Sequence, residues 1–153
     1  VETEHLCKAL FEQKDAFAIR ILCEAGCDPV QALGFIDRFV NRQPKVSGGA
    51  QQVLGRHLET LVDSARDRAA AMGDTFVAVE HLVLAMTSDD RFGRALMSDM
   101  CTDSQALLQA VLKLRGGNTV TDQGAESKYE SLERYARDLT AEARKVRISQ
   151  SPR

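Results

Sequence analysis

Tryptophan is absent and aromatic residues make up only 5% of the chain. A core must then be built from Leu, Val, Ile, Ala and Met, which suits packed helices better than a β-sandwich. No apolar run approaches 18 residues, so no transmembrane helix is expected. Charge of one sign is also lacking: 20 Lys and Arg against 22 Asp and Glu leave a net −2, no footprint for nucleic acid or an anionic membrane surface. No G-x-x-x-x-G-K-[ST] loop occurs, and Gly116-Gly117 lacks the following Lys-Ser/Thr. Without backbone amides and a lysine to hold the β- and γ-phosphates, ATP hydrolysis is not expected of this chain, and no cofactor is expected in it. Cysteines are few and scattered among helix formers (Cys7, Cys23, Cys27 and Cys101). They are expected to be small apolar fillers in a reducing compartment rather than a disulfide framework. Cys23-x₃-Cys27 has no second ligand pair at zinc-finger spacing, so no metal site is expected. No Met stands at position 1 and no leader pattern follows it; the expectation is that residues before Val1 have been removed.

What is present reads as an ordinary globular protein: 153 residues, 44% hydrophobic and 27% charged, enough for one core-bearing domain and a tail. Leu6, Leu10 and Phe11 predict a first helix over Thr3–Gln13. Asp15 is a candidate cap for a second helix with Phe17, Ile21, Leu22 and Ala25 as its stripe and Gly26 as its stop. Asp28-Pro29-Val30-Gln31 predicts a third start, with Asp capping, Pro in the first turn and Gln31 in the capping-box position, before Leu33, Ile36, Phe39 and Val40. A connector, Gln43-Pro44-Lys45-Val46-Ser47-Gly48-Gly49, leads to a long helix expected over Gln51–Met72 and ended by Gly73. Helices over about Val79–Thr87, Arg91–Met100 and Ser104–Arg115 follow, the last stopped by Gly116. No alternation of period two appears, so the fold class is all-α.

The chain also repeats itself. Val1-Glu2-Thr3-Glu4-His5-Leu6 lines up with Val77-Ala78-Val79-Glu80-His81-Leu82, 76 residues on. After a slip of one, Asp15 meets Asp90, Phe17 meets Phe92, Ile21 meets Leu96, Asp28 meets Asp103, Leu33 meets Leu108 and Ile36 meets Val111. Two copies of a three-helix unit are expected to pack as a pseudo-two-fold pair. Only the second copy has a long helix before it. The first is therefore expected to lack its own, leaving apolar surface uncovered near Leu6, Leu10 and Ile21.

The doubled Glu-His-Leu helix resembles the Clp N-terminal repeat, which occurs as a pair at the front of ClpA-, ClpB- and ClpC-type unfoldases. Gly73-Asp74-Thr75-Phe76-Val77-Ala78-Val79-Glu80-His81-Leu82 is similar to the start of that family's second repeat, and Arg42-Gln43-Pro44-Lys45-Val46 looks like the ClpB form of the connector. Arg115-Gly116-Gly117-x-x-Val120-x-Asp122-Gln123-Gly124-Ala125-Glu126, then Tyr129, Leu132, Tyr135 and Asp138-Leu139-Thr140, resembles the ClpB linker and the first helix of its first ATPase module. The segment Arg144–Arg153 departs from the pattern, and Ala78 stands where a capping Ser or Gly is usual, which weakens the expected helix start. The organisation so implied is a double-repeat domain over 1–116 (repeat 1 about 1–42, repeat 2 about 51–116). A linker over 117–128 and the beginning of an ATPase module over 129–153, with one further helix, complete it.

The resemblance implies a substrate-recruiting, non-catalytic domain of a stress-response protein disaggregase. It would bind exposed segments of unfolded or aggregated client polypeptides for an ATP-driven ring, whose own modules would hold ATP and magnesium. The implied contact region is the turn and helix start around Asp74 and Glu80 with an apolar groove beside it; His81, Val77, Leu61 and Ala65 complete the candidate set, while Ser64 and Arg68 make that groove more polar. A greasy groove rimmed by carboxylates suits apolar stretches flanked by Lys and Arg. The bland alternative is that Asp74 serves the turn after Gly73, that Glu80 favours a helix N-terminus, and that His5 and His81 are structural, each hydrogen-bonding a helix end. A rival reading is a stand-alone accessory subunit or adaptor-docking domain of a Clp protease. The wording of the connector looks plant or algal, with the chloroplast stroma ahead of the mitochondrion, the cytosol or a bacterial cytoplasm. A monomer is expected.

Overall fold

The computed structural model describes residues 1–13, 16–45, 48–49 and 51–117. Among them the regular structure is seven α-helices without strands: α1 (Thr3–Glu12), α2 (Phe17–Glu24), α3 (Pro29–Arg42), α4 (Arg56–Ala71), α5 (Val79–Met86), α6 (Gly93–Asp99) and α7 (Ser104–Arg115). The linker and the further helix expected beyond residue 117, and Asp15, lie outside the described residues.

The repeat is legible in three dimensions. Helix α1 corresponds to α5, α2 to α6 and α3 to α7, and the packing is reciprocal as a pseudo-two-fold requires: α2 lies on α7 while α3 lies on α6. Phe17 and Phe92, Ile21 and Leu96, and Ile36 and Val111 occupy equivalent places and are all buried without exposed surface. Each such side chain contributes about 1.5–3 kcal/mol through removal from water. Phe92 also meets Phe35 and Phe39, with ring centroids 5.7 and 4.8 Å apart.

The helix ends obey the same equivalence. Asp28 accepts a hydrogen bond from the Val30 N–H (2.9 Å) at the start of α3, and Asp103 one from the Ala106 N–H (2.8 Å) at the start of α7. Helices α2, α4 and α6 all close with the paired bonds of a Schellman motif: Cys27 N–H to Leu22 O, Asp74 N–H to Ala69 O, and Thr102 N–H to Met97 O. The motif needs a left-handed residue, and Gly26 (φ 80°), Gly73 (φ 75°) and Cys101 (φ 51°) provide it.

Several expectations are corrected. Helix α4 begins at Arg56, not Gln51. Gly55 donates its N–H to Val1 O (2.7 Å) and Val53 O accepts from the Val1 ammonium (2.8 Å), so residues 53–55 run alongside the chain start and Leu54 is 56% exposed. Gln31 does not complete a capping box; its amide donates to Asp99 O (2.8 Å), tying α3 to the end of α6. Leu10 and Ile21 are buried and Leu6 is packed on the core, so the uncovered surface expected there is not found. Cys7 and Cys27 are core fillers, and burial pushes the Cys7 thiol well up, but Cys23 and Cys101 are exposed.

Candidate functional site

The turn between α4 and α5 is built by three local devices. Gly73 reverses the chain, which sends the Asp74 side chain inward. Val77 leads into α5, and His81 stands three residues beyond Ala78, the residue before the helix. Alanine offers no capping oxygen, and the His81 Nδ1 instead accepts the Ala78 N–H (2.8 Å). In the first repeat, His5 Nδ1 accepts the Glu2 N–H (3.1 Å) in the same way. The shared structural role expected of the two histidines is therefore found, and it makes up in part for the missing cap at Ala78.

Because Nδ1 accepts, the proton of His81 sits on Nε2, which donates to Asp74 Oδ2 (2.7 Å). Asp74 also receives Arg115 from the last turn of α7, through Nη1 (2.8 Å) and Nη2 (2.5 Å). The side chains of Asp74 and His81 are fully buried, and Arg115 nearly so. Glu80 is buried on the same cation at a longer distance, 4.0 Å from Arg115 Nε, and neither of its oxygens receives a hydrogen bond from another residue. Burial pushes the Glu80 carboxyl above its usual range, with its own backbone N–H, His81 and Arg115 offsetting only part of that.

The structure thus brings Asp74, Glu80 and His81 together, but as an internal network around Arg115 rather than as an exposed acidic rim. Leu61 and Ala65 are buried. Of the six candidates only Val77 is exposed, at 40%, and its neighbour Phe76, not singled out by sequence, is 42% exposed. Arg115 was also missed as a site residue; a cation in the last helical turn before paired glycines was the available signal. Toward the other end of the α4–α5 pair, away from the turn, a groove of about 190 Å³ is lined by His57, Thr60, Leu61 and Ser64 of α4 and by Ala85, Ser88, Asp89 and Asp90. Ser64 lies on its wall and Arg68 does not, and its exposed lining is mostly apolar. Among the described residues no group of His, Cys, Asp and Glu is arranged to hold a metal ion.

Comparison with known proteins now bears on this arrangement. The profile of the Clp repeat (R) N-terminal domain matches residues 1–100. The chain belongs to that family. Its relatives include ClpB chaperones. Over 149 residues, 97% of the chain, it is 47% identical to the chloroplastic chaperone protein ClpB2 of Oryza sativa subsp. japonica and 46% identical to chaperone protein ClpB 1 of Synechococcus elongatus. It is 44% identical over 148 residues to the mitochondrial ClpB4 of Arabidopsis thaliana. The chain spans only 15%, 17% and 15% of those relatives' lengths. The fold matches the Hsp104 N-terminal domain of Candida albicans with a TM-score of 0.71, at 14% identity and 81% coverage of both chains.

Proposed function

We propose that this Clp-repeat domain is the client-recruiting N-domain of a ClpB disaggregase, capturing exposed segments of unfolded or aggregated polypeptides for an ATP-driven ring. The observation that carries the reading is the α4–α5 turn: Phe76 and Val77 are held out at the surface while the turn beneath them is pinned by Asp74, His81 and Arg115. A rigid platform presenting apolar side chains binds flexible partners without itself losing much entropy. In this reading Val77 contacts the client, Leu61 lines a groove farther along α4, and Asp74, Glu80, His81 and Ala65 position that surface from inside. The domain itself performs no chemistry; turnover of ATP belongs to the modules of the longer protein.

The rival, a stand-alone accessory subunit of a Clp protease, is disfavoured because the similarity to ClpB runs through 149 residues, past the last helix of the double repeat. We place the protein in a plastid, which the rice relative supports; mitochondrial and cyanobacterial relatives match almost as well.

The test is the double variant Phe76→Ser with Val77→Ser, assayed for binding to a casein-like unfolded chain. Loss of affinity by about fivefold or more, with the helical circular dichroism unchanged, is expected from removing two apolar contacts. Unchanged affinity would contradict the assignment.

A further inference from the structure

Arg68, in the last turn of α4, is half-buried and differs from the arginines around it. Arg66, Arg91, Arg94 and Arg115 each pair with a carboxylate, of Asp63, Glu4, Asp90 and Asp74 respectively. Among the described residues Arg68 pairs only with hydroxyls, donating from Nη2 to Thr87 Oγ1 (3.4 Å) and Ser88 Oγ (3.3 Å), and its buried Nε has no hydrogen-bond partner. A guanidinium stays charged at any physiological pH, so partial burial without a counter-charge is unfavourable until an anion arrives.

The space beside it is suited to one. A groove of about 390 Å³ is lined by Arg68, by Arg94, which is paired with Asp90, and by the five hydroxyls of Thr87, Ser88, Ser98, Thr102 and Ser104, with Met97 beside them. The one carboxylate on its wall, Asp103, is engaged in capping α7 through the Ala106 N–H. The Thr102 hydroxyl is buried without a partner. Hydroxyl and guanidinium donors around an open groove recognise oxyanions, and the planar fork of arginine matches a carboxylate in particular.

We propose that this groove binds a carboxylate of an extended polypeptide, an Asp or Glu side chain or a free C-terminus, so that the domain prefers acidic segments. The inference rests on the reading that the domain binds client polypeptides, and it specifies which ones.

The experiment uses the whole chain and two labelled peptides at low salt, one with an apolar centre flanked by Glu and the other with Gln in those places. The Glu peptide should bind about tenfold more tightly, the difference a charge-assisted hydrogen-bonded pair provides. Arg68→Gln should abolish that preference and Arg68→Lys reduce it. Arg66→Gln, at a side chain 67% exposed and paired with Asp63, should leave it intact. On the unsubstituted chain, the backbone amides of Ser88 and Thr102 should shift with the Glu peptide and not with the Gln peptide. Equal affinities for the two peptides, a preference that survives Arg68→Gln, or shifts confined to other helices would overturn the proposal. So would inorganic phosphate displacing the Glu peptide while binding more tightly than it, which would make this a phosphate site. Should a casein-like chain still bind when the peptides are not distinguished, only this inference fails; loss of binding to every unfolded chain would instead remove the reading beneath it.

Discussion

Glu4 and Glu80 occupy the same place in the two repeats, and both are fully buried, yet their surroundings set them apart. Burial alone would raise both carboxyls. Arg91 overturns this at Glu4, donating Nε to Oε2 (3.0 Å) and Nη2 to Oε1 (2.9 Å) and holding the carboxyl below its usual range. Glu80 has no such pair, its nearest guanidinium being the more distant Arg115 already bonded to Asp74, and burial leaves it raised. The linkage signs are therefore opposite. The stabilisation from Glu4 is complete above its ordinary value near 4.5 and is lost as pH falls through its lowered folded value. Glu80 favours the folded state below 4.5 in its protonated form, and that advantage is lost as pH rises through its raised folded value. Thermal unfolding should accordingly show Glu4→Gln about 2 kcal/mol less stable near neutral pH, the loss for a charged pair with one partner partly exposed. Glu80→Gln should be as stable as the parent or more so near neutral pH, the gap closing in acid. A loss on Glu80→Gln matching that on Glu4→Gln would mean that Arg115 serves Glu80 as fully as Arg91 serves Glu4. Asp74→Ala belongs to the same scale: it leaves Arg115 buried without its partner and should cost about 3–5 kcal/mol. Reduced client binding by that variant would report lost structure and not a lost contact.

At the level of the helix, the two repeats differ where a residue type breaks an equivalence. Gly26 and Cys101 both close a Schellman motif in the left-handed region, but only glycine does so without steric penalty. Cys101→Gly should therefore stabilise the protein by about 1 kcal/mol in denaturant unfolding, and a neutral or negative result would contradict the geometry at the end of α6. Gly93 makes the converse case. A Cβ there would stand 1.9 Å from the Met86 carbonyl oxygen, so α6 is able to approach the end of α5 only without a side chain. The Asp89 carboxylate, which accepts from the N–H groups of Phe92 and Gly93 (2.9 and 2.8 Å), locks that approach. Gly93→Ala should destabilise by about 2 kcal/mol or more, through backbone displacement that core packing resists. The first of these lies within reach of a sequence reading, but the second does not, since the repeat sets Ala18 opposite Gly93. Aligning Gly26 with Cys101 predicts the strained position once the cap is recognised. What periodicity could not reveal is the late start of α4: Leu54 continues the apolar stripe, but its backbone neighbours pair with Val1 across more than fifty residues.

For the molecule as a whole, the repeat makes the architecture legible in the sequence. Six of the seven helices among the described residues follow from two copies of one pattern, and the pairs Phe17–Phe92 and Ile36–Val111 identify the core. The candidate site was less legible for a physical reason. Asp74 and Glu80 look like surface carboxylates because residue type and helix position imply exposure, but α7 delivers Arg115 onto them from 41 residues away in the chain, and that cation draws both inward. Sequence singled out the turn but not which of its side chains face out: Asp74 and Glu80 turn inward, and Phe76 and Val77 are the exposed ones. The central claim, that the α4–α5 turn meets unfolded client chains, is tested most directly by nuclear magnetic resonance of the isotope-labelled chain titrated with a casein-like unfolded polypeptide. The account predicts that amides of Thr75, Phe76 and Val77, with those lining the groove along α4, shift progressively while the buried core around Phe17 and Ile36 does not. Shifts confined to α1–α3, or no shifts at all, would contradict it.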